Sequence, residues 1–588
     1  MYKAPLKELR FVMHQLVGDQ KLEGLPGLAD YSTDFADSVL EEAGRFAEEV
    51  LAPINRTGDT AGARWTPEGV VMPQEFKDAY ARFVEGGWPM LRASTEYGGQ
   101  GAPTILGTAI EELWASSNLA FKLCPMLSQG AVEAIERCAS EAQKHLYLPK
   151  MVTGEWTGTM VLTEPQAGSD LGAIRTRAVP DGDRYRIHGQ KIFITYGDHD
   201  YTPNTIHMVL ARIDGAPAGT RGISLFIVPK VLVNEDGSLG ERNDMRCVSI
   251  EHKLGIHASP TCVLSFGDRS GAIGYLVGEP NRGLEYMFIM MNAARLSVGL
   301  EGYAMAERAF QQALDYARSR IQGRPGGKAG TQGKPLPIAY HPDVKRMLLT
   351  MKAYADAARA IAFYAALQLD LGRHHPEEEV RAAAQARGDL LIPVVKAWST
   401  EIGVAMASLG IQVHGGMGFI EETGAAQYLR DVRITTIYEG TTGIQAGDLA
   451  GRKIARDGGA AMSALLAEMR AELRSRQGDE GAGAALEATQ LLDQATQALL
   501  QYFKQDAERA LAASVPYLTL CGVAIGGWLM ARAGSLAVEH QASDEEFHRG
   551  KQQIVRAYME QILPQAQSLA RIVISGSGSV VDADPELL

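Results

Sequence analysis

The hydrophobic pattern of this 588-residue chain changes twice, and these changes limit the folds it can adopt. The first 150 residues and the part after Arg282 carry apolar residues at helical spacing. Between Trp156 and Pro280 the pattern becomes short runs of β-branched and aromatic residues separated by turn residues. A chain of this length usually holds three or four domains. The pattern therefore predicts a mainly α-helical protein with a β domain in its middle.

Four domains are predicted from these changes of pattern. They are a helical domain over 1–155, an antiparallel β domain over 156–280, a helical bundle over 281–456 and a further helical domain over 457–588. Gly478–Gly483 reads as a hinge within the last of these, and Gln322–Pro337, rich in Gly and Pro, as a surface loop.

Within these domains the individual segments are also predicted. The predicted helices are Phe35–Leu51 with a stop at Pro53, Ile110–Ser116, Ala131–Tyr147, Glu285–Arg318, Pro342–Leu371 and Glu377–Leu409. The predicted strands are Thr157–Leu162, Arg184–Ile187, Thr205–Ile213, Gly222–Val228 and Cys262–Phe266.

The composition argues against several classes of function. A formal charge of −13 gives no electrostatic footprint for nucleic acid or for an acidic membrane. The five cysteines form no CxxC pair, and neither zinc spacing nor an HExxH run occurs, so we expect scattered thiols in a reducing compartment and no metal site. The N-terminal residues lack the apolar core of a signal peptide, and a cytoplasmic location is expected.

Residues Ala510–Ala531 are uncharged over 22 positions, which is long enough to cross a bilayer. The segment also contains Pro516, Gly522 and Gly526, and nothing else in the chain suggests a membrane topology. We therefore predict a helix buried between domains or subunits, and no transmembrane segment.

Four short motifs carry the strongest functional signal. They are LTEPQAGSD over Leu162–Asp170, KIFIT over Lys191–Thr195, HGGMGF over His414–Phe419 and YEGTT over Tyr438–Thr442. In this order and spacing they resemble the acyl-CoA dehydrogenase family of flavoenzymes. The resemblance implies an N-terminal helical domain, a middle antiparallel β-barrel domain and a C-terminal helical bundle. The last 130 residues or so would then be an extra helical domain.

Glu439 matches the position of that family's catalytic base. An apolar neighbour such as Ile437 suits this role, because desolvation raises the pKa of a carboxyl group and strengthens it as a base. Without the resemblance, a single glutamate in a loop is more often a solvated carboxylate.

The resemblance implies FAD as cofactor. The only glycine run that looks like a dinucleotide motif, Ile574–Ser579, lacks the third glycine and has too few residues after it, so it reads as a flexible tail. Phe193 stands where many relatives have Trp. The cofactor positions implied by the match are Met160, Val161, Leu162, Thr163, Gly168, Ser169, Phe193, Ile194, Thr195, Arg320, Gln412, Gly415, Gly416, Thr441, Thr442 and Gln445.

Some of these positions imply a homodimer, because Arg320 and Gln412–Gly416 match residues that reach the FAD of the neighbouring subunit. Arg320 also fits a simpler role, as a cation at the end of a helix. The implied substrate positions are Ser169, Asn292, Arg295 and Gly440, with Asn292 where relatives commonly have Asp. Arg295 alternatively reads as a helix-surface charge near Glu301.

The implied reaction is the α,β-dehydrogenation of an acyl-CoA thioester to the trans-2-enoyl-CoA, as in fatty acid beta-oxidation. Glu439 would take the α-proton, a β-hydride would pass to flavin N5, and an electron-transfer flavoprotein would receive the electrons. Two other functions stay open at this point. One is an acyl-CoA oxidase, which gives electrons to oxygen, and the other is a flavin-free helical scaffold without catalysis.

The substrate is less sharply indicated than the reaction. Tyr2–Leu6, Glu96–Gly101, Glu112–Trp114 and Asn118–Phe121 resemble a bacterial subgroup that includes 3-methylmercaptopropionyl-CoA dehydrogenases. The candidates are 3-methylthiopropionyl-CoA and short- or medium-chain acyl-CoAs. The extra C-terminal domain is similar to that of very-long-chain acyl-CoA dehydrogenases, which are dimers where shorter relatives are tetramers.

Overall fold

The computed structural model describes residues 2–325 and 335–588. The α-helices are α1 Leu6–Arg10, α2 Thr33–Phe46, α3 Ala52–Ala61, α4 Gln74–Glu85, α5 Thr104–Ser117, α6 Leu119–Cys138, α7 Glu141–Val152, α8 Gly283–Ser319, α9 Pro342–His374, α10 Glu378–His414, α11 Ala425–Val432, α12 Thr442–Gly447, α13 Ala460–Ser475, α14 Ala482–Gln505, α15 Ala507–Ala512, α16 Ser514–Glu539, α17 Glu545–Ala557, α18 Gln565–Ser575 and α19 Gly578–Val581.

The strands lie almost entirely in the middle of the chain. They are β1 Arg64–Thr66, β2 Gly69–Val71, β3 Trp156–Val161, β4 Arg177–Asp181, β5 Arg184–Thr195, β6 Asn204–Ile213, β7 Ile223–Pro229, β8 Val231–Val233, β9 Leu239–Arg242, β10 Met245–Ile250, β11 Thr261–Phe266 and β12 Ala272–Leu276. The predicted order of helical, β and helical regions followed by more helices is confirmed.

The chain forms two compact units. Unit 1 comprises Met1–Gly44, Thr104–Ser116 and Arg295–Leu588, and unit 2 comprises Arg45–Pro103 and Ser117–Ala294. The first 44 residues therefore belong to the same compact unit as the C-terminal helices, and the four domain ranges stay a prediction. The long helix α8 begins in unit 2 and ends in unit 1.

Unit 2 is built around one large sheet. Its pairings close a ring of five strands in the order β5, β12, β7, β6, β4 and back to β5, and β11 and β10 extend the sheet from β5. Most pairings are antiparallel, whereas β3 and β4 each pair with β6 in parallel. Both faces of β3 are buried, and Trp156 lies in a core with Met208 and Leu225.

Strand β5 is three times as long as the predicted run Arg184–Ile187. Its last eight residues, HGQKIFIT, include polar residues such as His188 and Lys191 that hide the apolar alternation. Antiparallel pairing of β11 with Gly189–Thr195 nevertheless keeps this part in the sheet. The strand therefore runs directly into the residues predicted at the cofactor.

Unit 1 is a bundle of long helices, in which α16 packs against α9 and α10. A Cβ atom at Gly522 would lie 2.3 Å from the Trp398 ring, so this helix contact requires glycine. Helix α16, and α10 with the turn after it, are long and apolar enough to cross a membrane, and 83% of the apolar window of each is buried inside the protein. The predicted burial of Ala510–Ala531 is confirmed for most of the segment, which is divided between α15 and α16, whereas Leu511 is 53% exposed.

A cluster of buried charges joins the N-terminal segment and the last helices to this bundle. Arg359 on α9 lies 2.7 Å from Glu112 on α5 and 3.2 Å from Glu307 on α8. On the same helix, Asp356 lies 2.7 Å from Lys551 on α17. Because buried charges are tolerated only when they are paired, these contacts fix which segments meet.

Three local predictions are wrong. Pro53 does not stop the first helix, because a π-helical turn over Ala47–Leu51 intervenes and the proline enters the first turn of α3, where no intrahelical N–H is needed. The segment Ala131–Tyr147 is two helices, separated at Ser140, whose side chain caps α7. The tail Ile574–Ser579 belongs partly to α18 and α19. The loop predicted over Gln322–Pro337 lies partly outside the described residues.

Candidate active site

Glu439 lies in a sharply bent segment just before α12. Its φ angle is 55° and that of Gly440 is 92°, so two successive residues adopt the left-handed conformation. This conformation costs free energy for a residue with a side chain and persists only when its surroundings hold it. Lys396 Nζ donates to the Gly440 carbonyl at 2.7 Å, and Gln445 Nε2 donates to the Glu439 carbonyl at 2.9 Å. Two buried side chains therefore hold the carbonyl groups of the turn.

The surroundings of Glu439 set the proton affinity of its carboxyl group. Burial raises the pKa of Glu439 to about 7, the positive charges of Arg295 and Lys396 oppose this rise, and the negative charge of Glu301 adds to it. Ile437, the predicted apolar neighbour, is 48% exposed. A carboxyl group with a pKa near neutrality is suited to take a proton from a weakly acidic C–H group.

Three charged groups of unit 1 act on this carboxyl group. Glu301 is fully buried on α8 and accepts a hydrogen bond from the hydroxyl of Tyr438. Lys396 is fully buried on α10. Arg295 is only 4% exposed, and its guanidinium lies 3.3 Å from Asp448. The alternative reading of Arg295 as a helix-surface charge is therefore wrong, and its contact with CoA stays a prediction.

Most of the other predicted residues of unit 1 are accessible. Arg320 follows the end of α8 and is exposed, with a long contact of 3.4 Å to Gln322. Gly415 and Gly416 are exposed, and added Cβ atoms would meet no heavy atom within 4 Å. Gln412, Thr441 and Thr442 also keep exposed surface. The structure leaves these residues free to contact a ligand.

Gln445 requires a correction. Its side chain has no exposed surface, and its amide nitrogen donates to the Glu439 carbonyl. A residue without surface cannot touch a cofactor, so Gln445 supports the turn of Glu439 instead of contacting FAD. Val161 in unit 2 is corrected for the same reason, because it has no exposed surface in the sheet, whereas Ile194 is 2% exposed and its contact with FAD stays a prediction.

In unit 2, the loop after β3 is tied to β5 by a buried ion pair. Lys191 Nζ lies 2.8 Å from Glu164 Oε1 and also donates to the Leu162 carbonyl at 2.8 Å. Glu164 accepts further hydrogen bonds from Thr176, and the ion pair and these bonds lower the pKa of its carboxyl group to about 2. The backbone N–H of Ile192 donates to the Thr163 carbonyl at 2.9 Å. The predicted cofactor segments Met160–Ser169 and Phe193–Thr195 are thereby held together.

Phe193 provides the test of whether unit 2 suits a flat aromatic cofactor. Its φ angle is 59° and the residue is 58% exposed, although it lies within β5 between the buried Lys191 and Ile194. An exposed phenyl ring on a strained backbone is unfavourable in water and points to a site that a ligand covers. Thr195, two residues after Phe193, is partly exposed, as is Thr163, whose carbonyl accepts from the N–H of Ile192; Gly168 and Ser169 are exposed. These residues fit a flavin ring.

Sequence reasoning missed Lys396 and Glu301. Each has a detectable signal, because each is a single charge within an otherwise apolar helical run: LLIPVVKAW over Leu390–Trp398 and LSVGLEGYA over Leu296–Ala304. Within residues 2–325 and 335–588, no group of three or more His, Cys, Asp or Glu side chains is placed to hold a metal ion.

Four family models match successive parts of the chain. They describe the acyl-CoA dehydrogenase N-terminal domain over 33–155, the middle domain over 159–269, the C-terminal domain over 281–454, and an acetyl-CoA dehydrogenase C-terminal-like domain over 465–584.

Whole-length relatives match as well. The chain is 47% identical over 581 residues to the 3-methylmercaptopropionyl-CoA dehydrogenase of Ruegeria pomeroyi, covering 96% of this chain and 97% of that protein. It is 34% identical to a broad-specificity linear acyl-CoA dehydrogenase of Mycobacterium tuberculosis, covering 99% of both. The fold is similar to that of an acyl-CoA dehydrogenase from Bacillus anthracis solved with FAD, with a TM-score of 0.74, 21% identity, and coverage of 100% of this chain and 94% of that one.

Proposed function

This chain belongs to the acyl-CoA dehydrogenase family, and we propose that its substrate is 3-methylmercaptopropionyl-CoA, the same compound as 3-methylthiopropionyl-CoA. It is an FAD-dependent oxidoreductase. The substrate proposal rests on the 47% identity to the Ruegeria pomeroyi enzyme over nearly the full length of both chains. The observation that carries the reaction is the strained turn that presents Glu439 with a pKa of about 7.

The role of Glu439 is to remove a proton from the α-carbon of the thioester. Burial makes its carboxylate basic enough to accept that proton, while Arg295 and Lys396 keep a large part of it ionised at neutral pH. The α C–H bond breaks, its electron pair forms the new double bond, and the proton stays on Glu439. Bound FAD supplies the acceptor for the hydride that leaves the β-carbon.

The thioester carbonyl must be polarised for this step, because negative charge develops on its oxygen as the α-proton leaves. We assign one donor to the backbone N–H of Glu439, which the left-handed turn orients independently of the side chain. A fixed donor aimed at a developing charge contributes up to a few kcal/mol to catalysis.

The remaining parts of the proposal concern partners. We propose an electron-transfer flavoprotein as electron acceptor, a homodimer in which Arg320 and Gln412–Gly416 complete the partner's cofactor site, and a cytoplasmic location. The support for the dimer is the exposure of these residues together with Met417 and Phe419. Light scattering tests it: a mass near two chains supports the proposal, and a mass near four or one contradicts it.

The substrate proposal is tested with a panel of acyl-CoAs and either a dye or an electron-transfer flavoprotein as acceptor. The matched control for 3-methylthiopropionyl-CoA is pentanoyl-CoA, which replaces the sulfur by a methylene group. Butyryl-CoA and palmitoyl-CoA bracket the chain length. We expect the highest kcat/KM with the thioether substrate.

Equal or higher kcat/KM with straight-chain substrates would contradict the substrate proposal and favour a broad-specificity enzyme. A preference for palmitoyl-CoA would favour a very-long-chain enzyme. Hydrogen peroxide formed at the rate of turnover without an added acceptor would favour an acyl-CoA oxidase.

A further inference from the structure

Buried charged side chains form hydrogen bonds with the residues on both sides of Glu439, the proposed base. The residue before Glu439 is Tyr438, whose hydroxyl donates to Glu301 on α8. The residue after it is Gly440, whose carbonyl accepts from Lys396 on α10. Glu301 and Lys396 carry opposite charges and neither has exposed surface. Helix α8 therefore holds the residue before the base, and helix α10 holds the residue after it.

Keeping these charges inside the bundle is costly. Removing one ammonium or carboxylate group from water costs several kcal/mol unless close partners compensate it. Most of α10 around Lys396 is apolar and packs in the core beside Trp398. Such a helix could use an apolar residue at position 396, so the lysine indicates a specific task.

That task includes the geometry of the turn. Glu439 and Gly440 both adopt left-handed conformations, and an added Cβ at Gly440 would lie 2.8 Å from Gln445 Nε2. The hydrogen bond of Lys396 to the Gly440 carbonyl, 2.7 Å long, is charge-assisted and so stronger than one between neutral groups. It therefore stabilises the strained backbone next to the base.

The two charges also act on Glu439 in opposite directions. Lys396 favours the ionised form of its carboxyl group, and Glu301 favours the protonated form. Arg295 is the other charged group that acts on Glu439, and it is already engaged with Asp448. Burial lowers the pKa of the Lys396 ammonium group to about 8; the negative charges of Glu439, Glu301 and Glu401 oppose this change, and the positive charge of Arg295 adds to it.

We propose that Lys396 and Glu301 are positioning residues for the base, which together hold the turn of Glu439 and balance its charge from opposite sides. The inference rests on the proposed role of Glu439. It assigns a task in the reaction to two buried residues outside the sequence motifs.

The opposite signs give a sharp test. Lys396→Met keeps the stem of the side chain and removes the positive charge, so the pKa of Glu439 should rise above its value of about 7. Glu301→Gln keeps an acceptor for Tyr438 and removes the negative charge, so the pKa of Glu439 should fall. Shifts of roughly one unit are typical of a neighbouring charge. Lys396→Arg retains the charge and should lie close to wild type.

The measurement is made on the flavin-loaded enzyme without substrate. The infrared band of the protonated Glu439 carboxyl group is isolated by subtracting the spectrum of the matching Glu439→Gln variant and is followed across pH. The pH dependence of flavin reduction by substrate in a single turnover is recorded in parallel. Glu379→Gln, an exposed charge change on α10, is the control and should move neither curve.

The proposal predicts midpoints displaced in opposite directions by Lys396→Met and Glu301→Gln. Two displacements in the same direction, or none in flavin-loaded variants, would overturn it. If Lys396→Met does not fold, Glu301→Gln still decides, because an unchanged or raised midpoint in that variant contradicts the proposal. The infrared titration needs no turnover, so a failure of the proposed substrate or reaction is distinguished from a failure of this inference.

Discussion

Lys551 Nζ lies 2.5 Å from Glu8 Oε2, so an ion pair joins residues that are 543 positions apart near the two ends of the chain. The same ammonium group lies 2.7 Å from Asp356 on α9. Because both carboxylates are nearly buried, this contact couples the N-terminal segment and the extra C-terminal helices to the bundle that holds Glu439. The extra domain is thereby an integral part of unit 1.

The first prediction concerns this contact. Lys551→Met should lower the free energy of unfolding by about 2–3 kcal/mol, because Glu8 loses its nearest cation, while Asp356 keeps Arg359 at 2.8 Å and Lys352 at 3.0 Å. Thermal and denaturant unfolding measure the change. Arg549→Met on the same helix removes an exposed charge and should change the free energy of unfolding by less than about 0.5 kcal/mol. Equal effects of the two substitutions would contradict the structural role of the cluster.

The second prediction concerns the ion pair of Glu164 and Lys191 in unit 2. The folded-state pKa of Glu164 is lowered from 4.5 to about 2, so the pair contributes stability above pH 4.5 that is lost as the pH falls towards 2. The shift of Glu164 corresponds to about 3 kcal/mol. Burial lowers the pKa of the partner Lys191 to about 8, so the net contribution of the pair is smaller than this. Glu164→Gln should have a lower free energy of unfolding than wild type at pH 7. Between pH 4.5 and 2, this free energy should fall less in the variant than in wild type. Parallel pH curves for the two proteins would contradict the pair's contribution.

The sequence predicts the order of the regions and the base because their signals are local. Motifs, alternation and helical spacing each involve residues that are neighbours along the chain. The contact of Lys396 with Gly440 and that of Glu8 with Lys551 join distant segments, and no local pattern encodes which helix faces meet. Gln445 illustrates the same limit, since its position in the motif suggested a ligand contact and packing turned it inward.

Backbone strain was equally invisible in the sequence. Phe193 and Glu439 adopt left-handed conformations although neither is Gly, Asn or Asp, the residue types that favour this conformation. The residue types therefore do not predict the left-handed backbone at these positions. Both positions lie at the predicted cofactor or base, where surrounding contacts hold an unfavourable conformation. Strain of this kind marks functional positions only once the structure is known.

A third prediction uses the exposed ring of Phe193. If this ring covers the flavin, Phe193→Ala should weaken FAD retention by roughly tenfold, a loss of about 1.4 kcal/mol. Flavin release is followed by fluorescence. Leu254→Ala removes a similarly exposed apolar side chain of unit 2, 62% exposed, and should release FAD at the wild-type rate. Unchanged retention in Phe193→Ala would remove Phe193 from the cofactor site.

A fourth prediction tests the subunit-crossing contact of Arg320. Arg320→Ala should lower FAD occupancy and dimer stability together, because one guanidinium is proposed to serve both the phosphates of the cofactor and the interface. Sedimentation and the flavin-to-protein absorbance ratio measure the two effects. Arg318→Ala changes an exposed charge at the end of the same helix and is the control. A monomer with full flavin content would show that the site is complete in one chain.

The central claim is that Glu439 is the base of an acyl-CoA dehydrogenase. The most direct measurement mixes the anaerobic, FAD-loaded enzyme with excess 3-methylthiopropionyl-CoA and follows the loss of flavin absorbance in a single turnover, for wild type and for Glu439→Gln. Gln keeps the shape of the side chain but cannot take a proton, so flavin reduction should slow at least about a hundredfold while FAD stays bound. Flavin reduction by Glu439→Gln at more than a few per cent of the wild-type rate would contradict the account.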